Sequence, residues 1–296
     1  MVDYDFSGLP CTDNSRVKRG RQFSEGPTGP VFIVWALRLR VYGVLLAVLE
    51  NVPDMDLETV VGLLSDAYDH WQIFMDMPES GLGGTSRART YVIFARKGAY
   101  KLLHCPVLLT DCIASELQAT AVTRPRDFLT ASDLEILLEA QEACRTRGIT
   151  FRPGTTNLQY ILNQREQRCV EVLNKRYWSK FKRSPESDRD LCYFLGDNPN
   201  FGKWSAASGK IPTLRRNTGK LWFPAVSRWL TAAERLSTLG FPVRTCMAEA
   251  LGVPPVAVRD PKRAAQFAGN CMSFNTATII HMVALSCFGF SRRCGD

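Results

Sequence analysis

The chain has 296 residues, 45% of them hydrophobic and 22% charged, with a net charge of +8. That composition is the composition of a soluble globular protein able to bury a core, and the length suits one large domain or two of ordinary size. No apolar run reaches the ~18–20 residues needed to cross a bilayer, because Arg38 and Arg40 break Val31–Val52 and His281 breaks Ala277–Phe290.

The first residues lack the basic-then-apolar pattern of a secretory signal, so a protein that is not secreted is expected. The ten cysteines are scattered without a CxxC pair. In a chain this large they read as reduced intracellular thiols, not as a zinc site or a disulfide framework.

Residues 2–7 alternate weakly and predict a strand that stops at Gly8-Leu9-Pro10. Residues 16–30, basic and rich in Gly, Pro and Ser, predict a loop. Val31–Tyr42 is apolar nearly all round, which predicts a buried helix ended by Gly43. Val44–Leu49 has the length of a buried strand. Asp56 is a helix cap ahead of Leu57, Val60, Val61, Leu64 and Ala67 at helical spacing. Trp71–Met77 and Thr90–Ala95 read as two further strands. Strand, helix, strand, helix, strand is the order of a doubly wound α/β domain.

Beyond residue 104 the character changes. Ser132 and Glu135 form a capping box opening Asp133–Arg147, which Gly148 closes. A second helical stretch follows over about residues 158–182, then a loop-rich segment from 184 to 224. The chain turns helical again from Thr231, and a final apolar helix spans about Thr276–Cys287.

The charge is unevenly placed. Residues 145–183 hold ten Arg or Lys (Arg145, Arg147, Arg152, Arg165, Arg168, Lys175, Arg176, Lys180, Lys182 and Arg183) against Glu166 and Glu171. Tyr160, Tyr177, Trp178 and Phe181 are interleaved with them. Such a segment suits a polyanion, since phosphate contacts release counterions; a solvated helix face is the plainer alternative.

Five separated stretches stand in the order used by the cytosine-5 DNA methyltransferases. "GLPCTDNS" (Gly8–Ser15) resembles that family's Pro-Cys nucleophile loop, and "LENV" (Leu49–Val52) its Glu-Asn-Val motif. "GGTSRARTYVIF" (Gly83–Phe94) resembles the Gln-x-Arg-x-Arg motif with its following strand. "RWLTAAERLSTLGFP" (Arg228–Pro242) resembles the Arg-x-Leu-Thr…Glu…Gly-Phe-Pro motif, with "IPTL" (Ile211–Leu214) ahead of it. "AGNCMSF" (Ala268–Phe274) resembles the closing Gly-Asn motif. The resemblance covers residues 3–290.

The resemblance implies a fold: a partial doubly wound, Rossmann-like class I methyltransferase sheet with an inserted target-recognition region. It implies residues 1–104 as catalytic core, 105–225 as recognition region carrying the basic helix, and 226–296 as the return to the core.

It also implies roles. Cys11 is the nucleophile, because a thiolate adding to carbon 6 makes carbon 5 of cytosine nucleophilic. Leu9 and Pro10 fix the loop. Glu50 bonds ring nitrogen 3 and the exocyclic amine, and burial at a strand end is expected to raise its pKa. Arg87 and Arg89 hold the base oxygen and order the loop. Pro10, Asn270 and Cys271 lie on the side of the cofactor, S-adenosylmethionine. Ser15, Arg165, Arg168, Lys175, Arg176, Lys180, Lys182 and Arg228 contact double-stranded DNA, from which the target base must be flipped.

Plainer roles stand beside these: Glu50 as cap of the next helix, Arg87 and Arg89 as exposed turn residues, Asn270 as a turn or cap residue. Cys105 to Cys294 read as core or surface thiols, and the three histidines have no assigned role.

Departures from the family pattern qualify the resemblance. Thr12 and Thr85 stand where the family has Gln, and Leu239 replaces the Gln before Gly-Phe-Pro. Ten residues precede Cys11, and the family's Phe-x-Gly-x-Gly loop with two strand–helix units, which cradle S-adenosylmethionine, has no counterpart there. The expectation is a copy holding the C-terminal two-thirds of the family's domain, with an open edge beside the Cys11 strand. An N-terminal segment or a second chain is then the expected complement, and turnover by this chain alone is doubtful. The alternatives are a non-catalytic nucleic-acid-binding remnant and an RNA cytosine-5 methyltransferase. The expected location is nuclear in a eukaryote and cytoplasmic otherwise, with no membrane partner.

Overall fold

The computed structural model describes residues 3–15, 20–120, 123–201, 204–214 and 219–290. The chain divides into two compact units. The first comprises residues to Ser80, Ala88–Ala119 and the chain from Thr276; the second comprises Gly81–Arg87 and Thr120–Asn275.

The first unit begins with β1 (Tyr4–Gly8), α1 (Gly29–Tyr42), β2 (Leu46–Asn51), α2 (Leu57–Leu64), β3 (Tyr68–Met75) and β4 (Arg89–Arg96). A short β5 (Tyr100–Leu102) and α3 (Pro106–Thr120) follow. Alternate residues of β2 and β4 face opposite ways. Ala47, Leu49, Val92 and Phe94 pack with α1 and α2. Leu46, Val48, Tyr91, Ile93 and Ala95 enter the opposite cluster with the C-terminal helix and, at its margin, α3. A strand covered on both faces reads as a continuous apolar run, and both strands do.

The four-stranded sheet has the order β1-β2-β4-β3. β1 and β2 are parallel, with Gly8 in register with Glu50. β4 runs antiparallel to both of its neighbours. The sheet is therefore mixed, with one parallel and two antiparallel pairings.

Among the described residues β1 pairs only with β2, so it lies at the sheet edge. It is clipped on both faces. Asp5 accepts from Trp35 Nε1 at 3.0 Å and pairs with Arg38, both on α1. Tyr4 bonds His281 Nδ1 at 2.7 Å, and His281 stacks on Phe6 with ring centroids 3.9 Å apart. His281, given no role from sequence, is thus a structural partner of the edge strand.

Helix α1 ends where expected, at Gly43 with φ +60°; a Cβ there would lie 2.0 Å from the Arg96 guanidinium. Its burial differs from expectation. Phe32, Trp35, Ala36 and Leu39 face the core at helical spacing, while Val34, Leu37 and Val41 are exposed. An outer-layer helix covers a sheet with one stripe only, and this one is apolar on its other side as well. Asp56 caps α2 through Thr59 N. The expected 16–30 loop lies partly outside the described residues (16–19), as does Cys294. Phe23–Glu25 forms one 3₁₀ turn, and Gly29-Pro30 already opens α1.

The second unit holds α4 (Asp133–Arg147), α5 (Gln164–Phe181), the three-stranded sheet β6 (Tyr193–Phe194), β7 (Leu221–Phe223) and β8 (Arg228–Trp229), then α6 (Ala232–Ser237), α7 (Thr245–Ala250) and α8 (Pro261–Asn270). The chain closes with α9 (Phe274–Cys287) and β9 (Phe288–Phe290), which pairs β5 in the first unit. The structural boundaries thus differ from the sequence ranges 1–104, 105–225 and 226–296. Helix α3 groups with the first unit, and residues 226–275 group with the second.

Helix ends are capped by side chains. The Ser132–Glu135 box opens α4 and Gly148, φ +64°, closes it. Asn163 and Glu166 form a second box on α5. Glu166 also receives Arg147 at 2.6 and 3.0 Å, tying the end of α4 to the start of α5.

Arg228 is 5% exposed and forks onto Glu234 at 2.8 and 2.8 Å, while Glu234 also accepts Thr231 N and Ala131 N at 2.8 Å each. Beside this core lies Lys220, its Nζ 3.4 Å from the centroid of the Trp229 ring. Burial, with the Arg147 charge, pulls the Lys220 ammonium down to about 7.

A lysine whose folded pKa is depressed binds fewer protons folded than unfolded, so its burden on stability is full below pH 7 and fades as pH rises toward the unfolded value. Urea unfolding of the chain is expected to show stability gained from Lys220 between pH 7 and 10, at up to ~1.4 kcal/mol per pH unit. Lys220→Met should raise the pH 7 midpoint and remove that increment. An increment that survives in Lys220→Met contradicts the assignment.

Candidate active site

Cys11 lies three residues beyond Gly8, in the turn that leaves the tip of β1. The turn is closed by its own backbone: Asn14 N and Ser15 N donate to Cys11 O at 3.1 and 2.9 Å. Asn51, buried at the tip of β2, donates from Nδ2 to Leu9 O at 3.1 Å, while its Oδ1 takes Val52 N at 2.9 Å. One side-chain amide therefore fixes the exits of two neighbouring strands.

The residues after Cys11 are also held. Asp13 is buried and accepts Thr28 N at 2.8 Å and Thr28 Oγ1 at 2.6 Å. Gly26 lets this carboxylate come close, for a Cβ there would lie 2.4 Å from Asp13 Cγ. Asn14 Oδ1 accepts Asp56 N at 3.1 Å, joining the loop to the cap of α2. Sequence reasoning missed Asp13 and Asn14. The signal was the polar pair itself, two and three residues after Cys11 and ahead of the expected 16–30 loop.

Glu50 stands opposite Gly8 across the parallel ladder. It is 8% exposed, and its Oε1 accepts Arg89 Nε at 2.8 Å. It does not cap the next helix; Asp56 does. Arg89, at the start of β4, also donates to its own Ala88 carbonyl at 2.7 Å. Cys11 is half-buried and keeps access to solvent. The first unit thus assembles a thiol on one strand tip and an arginine-paired carboxylate on the next.

Arg87 belongs to the second unit and is turned inward, 4% exposed, with Nη2 donating to Cys271 O at 2.6 Å. The two arginines expected to act together are divided between the units. Around Arg87 the motifs do meet: Ile211 N donates to Gly84 O at 2.7 Å, and Thr213 Oγ1 to Ser86 O at 2.8 Å. The Gly-Phe-Pro motif likewise meets the closing motif, with Phe274 N donating to Leu239 O at 2.8 Å. Gly240, φ +82°, is required there, as a Cβ would lie 2.1 Å from Asn275 Oδ1.

The residues expected beside S-adenosylmethionine are divided between the units. Pro10 is exposed in the first unit. Asn270 and Cys271 finish α8 in the second, where Cys271 N caps the helix on Phe267 O at 2.8 Å. The glycine-rich stretch Gly81–Gly84 packs against other backbone, a Cβ on Gly84 meeting the Arg124 carbonyl carbon at 2.5 Å. Among the described residues no Gly-x-Gly loop follows β1 or β2. The residues present do not fit the group.

The basic residues separate into two sets. Arg165 donates to Leu195 O at 2.7 Å and Arg176 to Pro199 O at 2.6 Å, so both anchor neighbouring loops. Arg228 is engaged in the core, which corrects its assignment to a phosphate. Ser15 is a turn residue behind Cys11. Arg168 and Lys175 project from one stripe of α5 and Lys182 caps its end, with no ion pair among the described residues, and Trp178, 56% exposed, lies in the same stripe. Lys180 lies over the Phe181 ring at 5.3 Å.

No family model matches the chain, and no curated protein matches it. Among solved structures it is similar to a DNA modification methyltransferase encoded within a prophage of E. coli, at 16% identity and a TM-score of 0.50, over 96% of this chain and 78% of that one. It is also similar to a methyltransferase of Entamoeba histolytica, at 13% identity and a TM-score of 0.49, over 96% of this chain and 77% of that one. Spodoptera frugiperda DNMT2 follows at 11% identity and a TM-score of 0.44, over 96% and 80%. The fold is a mixed α/β fold similar to that of the prophage methyltransferase structure.

Removing the Asn51 amide leaves the Leu9 carbonyl without its donor in a buried setting. Asn51→Ala is expected to destabilise the chain by about 1–3 kcal/mol, read from the urea midpoint. An unchanged midpoint contradicts the strand-tip clamp.

Proposed function

We propose that the chain is a cytosine-5 DNA methyltransferase-like protein whose first unit is the end of a class I, Rossmann-like sheet and whose Cys11 adds covalently to carbon 6 of a flipped cytosine. The observation that carries this reading is the pairing of Gly8 with Glu50 in the β1–β2 ladder, which sets the thiol loop beside a buried carboxylate held by Arg89.

Three steps follow from the residues. The thiolate of Cys11 forms the sulfur–carbon 6 bond. The electron pair of the 5,6 double bond moves to carbon 5, which becomes the nucleophile. Glu50, facing the ring from the adjacent strand, holds a proton on nitrogen 3 and accepts from the exocyclic amine, so charge does not build up on the ring. Arg89 positions Glu50.

S-adenosylmethionine is the donor that this chemistry implies. The described residues lack the Gly-x-Gly loop that would hold it after β1 or β2. A complement on the open edge of β1 is the proposed source of its site.

The second unit is the proposed nucleic-acid face. Arg168, Lys175 and Lys182 are free to neutralise phosphates, and Trp178 in the same stripe offers a ring on which a base can stack.

A duplex carrying 5-azacytosine tests the thiol step without any methyl donor, because nitrogen at position 5 makes carbon 6 more electrophilic. The wild-type chain is expected to give a denaturation-resistant adduct, Cys11→Ala none, and Glu50→Gln an adduct forming about 10²-fold more slowly. No adduct from the wild-type chain, or an equal adduct from Cys11→Ala, overturns the reading.

A further inference from the structure

The second unit contains a cleft of about 500 Å³ that the proposed chemistry does not use. That volume lies in the range of small-ligand sites. Its floor is the α5 face one residue away from the basic stripe, and its rim is the 152–160 segment.

The cleft's polar groups are specific. On the rim the Arg152 guanidinium lies over the Tyr160 ring, 4.6 Å from its centroid. On α5, Gln167, Glu171 and Asn174 follow one another on successive turns. Gln167 donates its amide to Leu162 O at 2.8 Å, which leaves its carbonyl oxygen for the cleft. Asn174 accepts Tyr193 OH at 2.9 Å through Oδ1, which leaves its amide N–H groups. Glu171 has no hydrogen-bond or ion-pair partner among the described residues.

We infer that this cleft binds an unpaired guanine of a single-stranded nucleic-acid segment. A base stacks readily on a guanidinium that is itself supported by an aromatic ring. Guanine alone among the four bases places two adjacent N–H donors, N1–H and the 2-amino group, next to a carbonyl oxygen on its Watson–Crick edge. The Glu171 carboxylate accepts the two donors, and Asn174, one turn further, donates to O6. Adenine, cytosine and thymine each turn a ring nitrogen lone pair or a carbonyl toward the carboxylate and are repelled. Arg168 and Lys175, flanking on the same helix, accept the phosphates on either side.

This goes beyond the Cys11 reading and does not depend on it. The test uses the full chain and fluorescein-labelled thymidine oligonucleotides with one internal guanine, adenine, cytosine or hypoxanthine, read by anisotropy. Guanine is expected to bind about tenfold more tightly than adenine or cytosine. Hypoxanthine, which lacks the 2-amino group, should fall between them. Glu171→Gln should abolish the preference while leaving binding of the thymidine background. Arg152→Ala should weaken guanine binding, with circular dichroism confirming the fold of both variants.

Cys11→Ala should keep the preference, so failure of the adduct experiment leaves this one decisive. Equal affinity for guanine and adenine, hypoxanthine indistinguishable from guanine, or a preference retained in Glu171→Gln overturns the inference.

Discussion

The parallel pairing of β1 with β2 is the constraint on which the candidate chemistry depends. It fixes Gly8 against Glu50, and the chain has only three residues from there in which to present Cys11. Asn51 then locks the exit of β1 to that of β2 through one amide. Register in a sheet is all or nothing, since a one-residue slip turns every side chain to the other face. Here a slip would turn Glu50 away from Arg89 and move Ala47 and Leu49 from the α1–α2 face into the opposite cluster. The buried pattern of β2 therefore guards the site as well as the core.

The second unit is organised by buried charge. Arg228 and Glu234 sit in a fork geometry, with two backbone amides completing the carboxylate's shell. Arg147 and Glu166 do the same between α4 and α5. Buried pairs of this kind are weak sources of net stability, yet removing one partner strands the other in a low dielectric. They act as pins for one arrangement of loops and short strands that carries little regular sheet. The exposed α5 stripe and the guanine cleft are built on that frame, which keeps Glu171, Asn174 and Lys175 on a rigid helix instead of a loop.

Much of this was legible in the sequence where the signal is local. Ser132 with Glu135, Asp56 ahead of Leu57, and Gly43 after an apolar run each act within a few residues, so their reading needs no tertiary knowledge. The order of motifs placed Cys11, Glu50 and Arg89, and those three share one unit. Long-range facts were hidden. Arg228 looks like any other arginine in a basic protein, and only the carboxylate six residues on, seen in space, removes it from the surface. Arg87 sits two residues from Arg89 yet falls in the other unit. The antiparallel direction of β4 and the grouping of α3 with the first unit are set by long-range packing that no local sequence signal marks. Asp13 and Asn14 turned an apparently loose loop into a clamped one through partners at Thr28 and Asp56, too far along the chain for any spacing rule.

In the proposed site Glu50 and Arg89 act together beside the thiol. The most direct measurement is a double-mutant cycle on the rate of covalent adduct formation, comparing Glu50→Gln, Arg89→Ala and the double variant with the parent chain. Residues that work only together give a double variant hardly slower than the worse single one, and that is the expected result. Losses that multiply would show two independent contributors and contradict the claim.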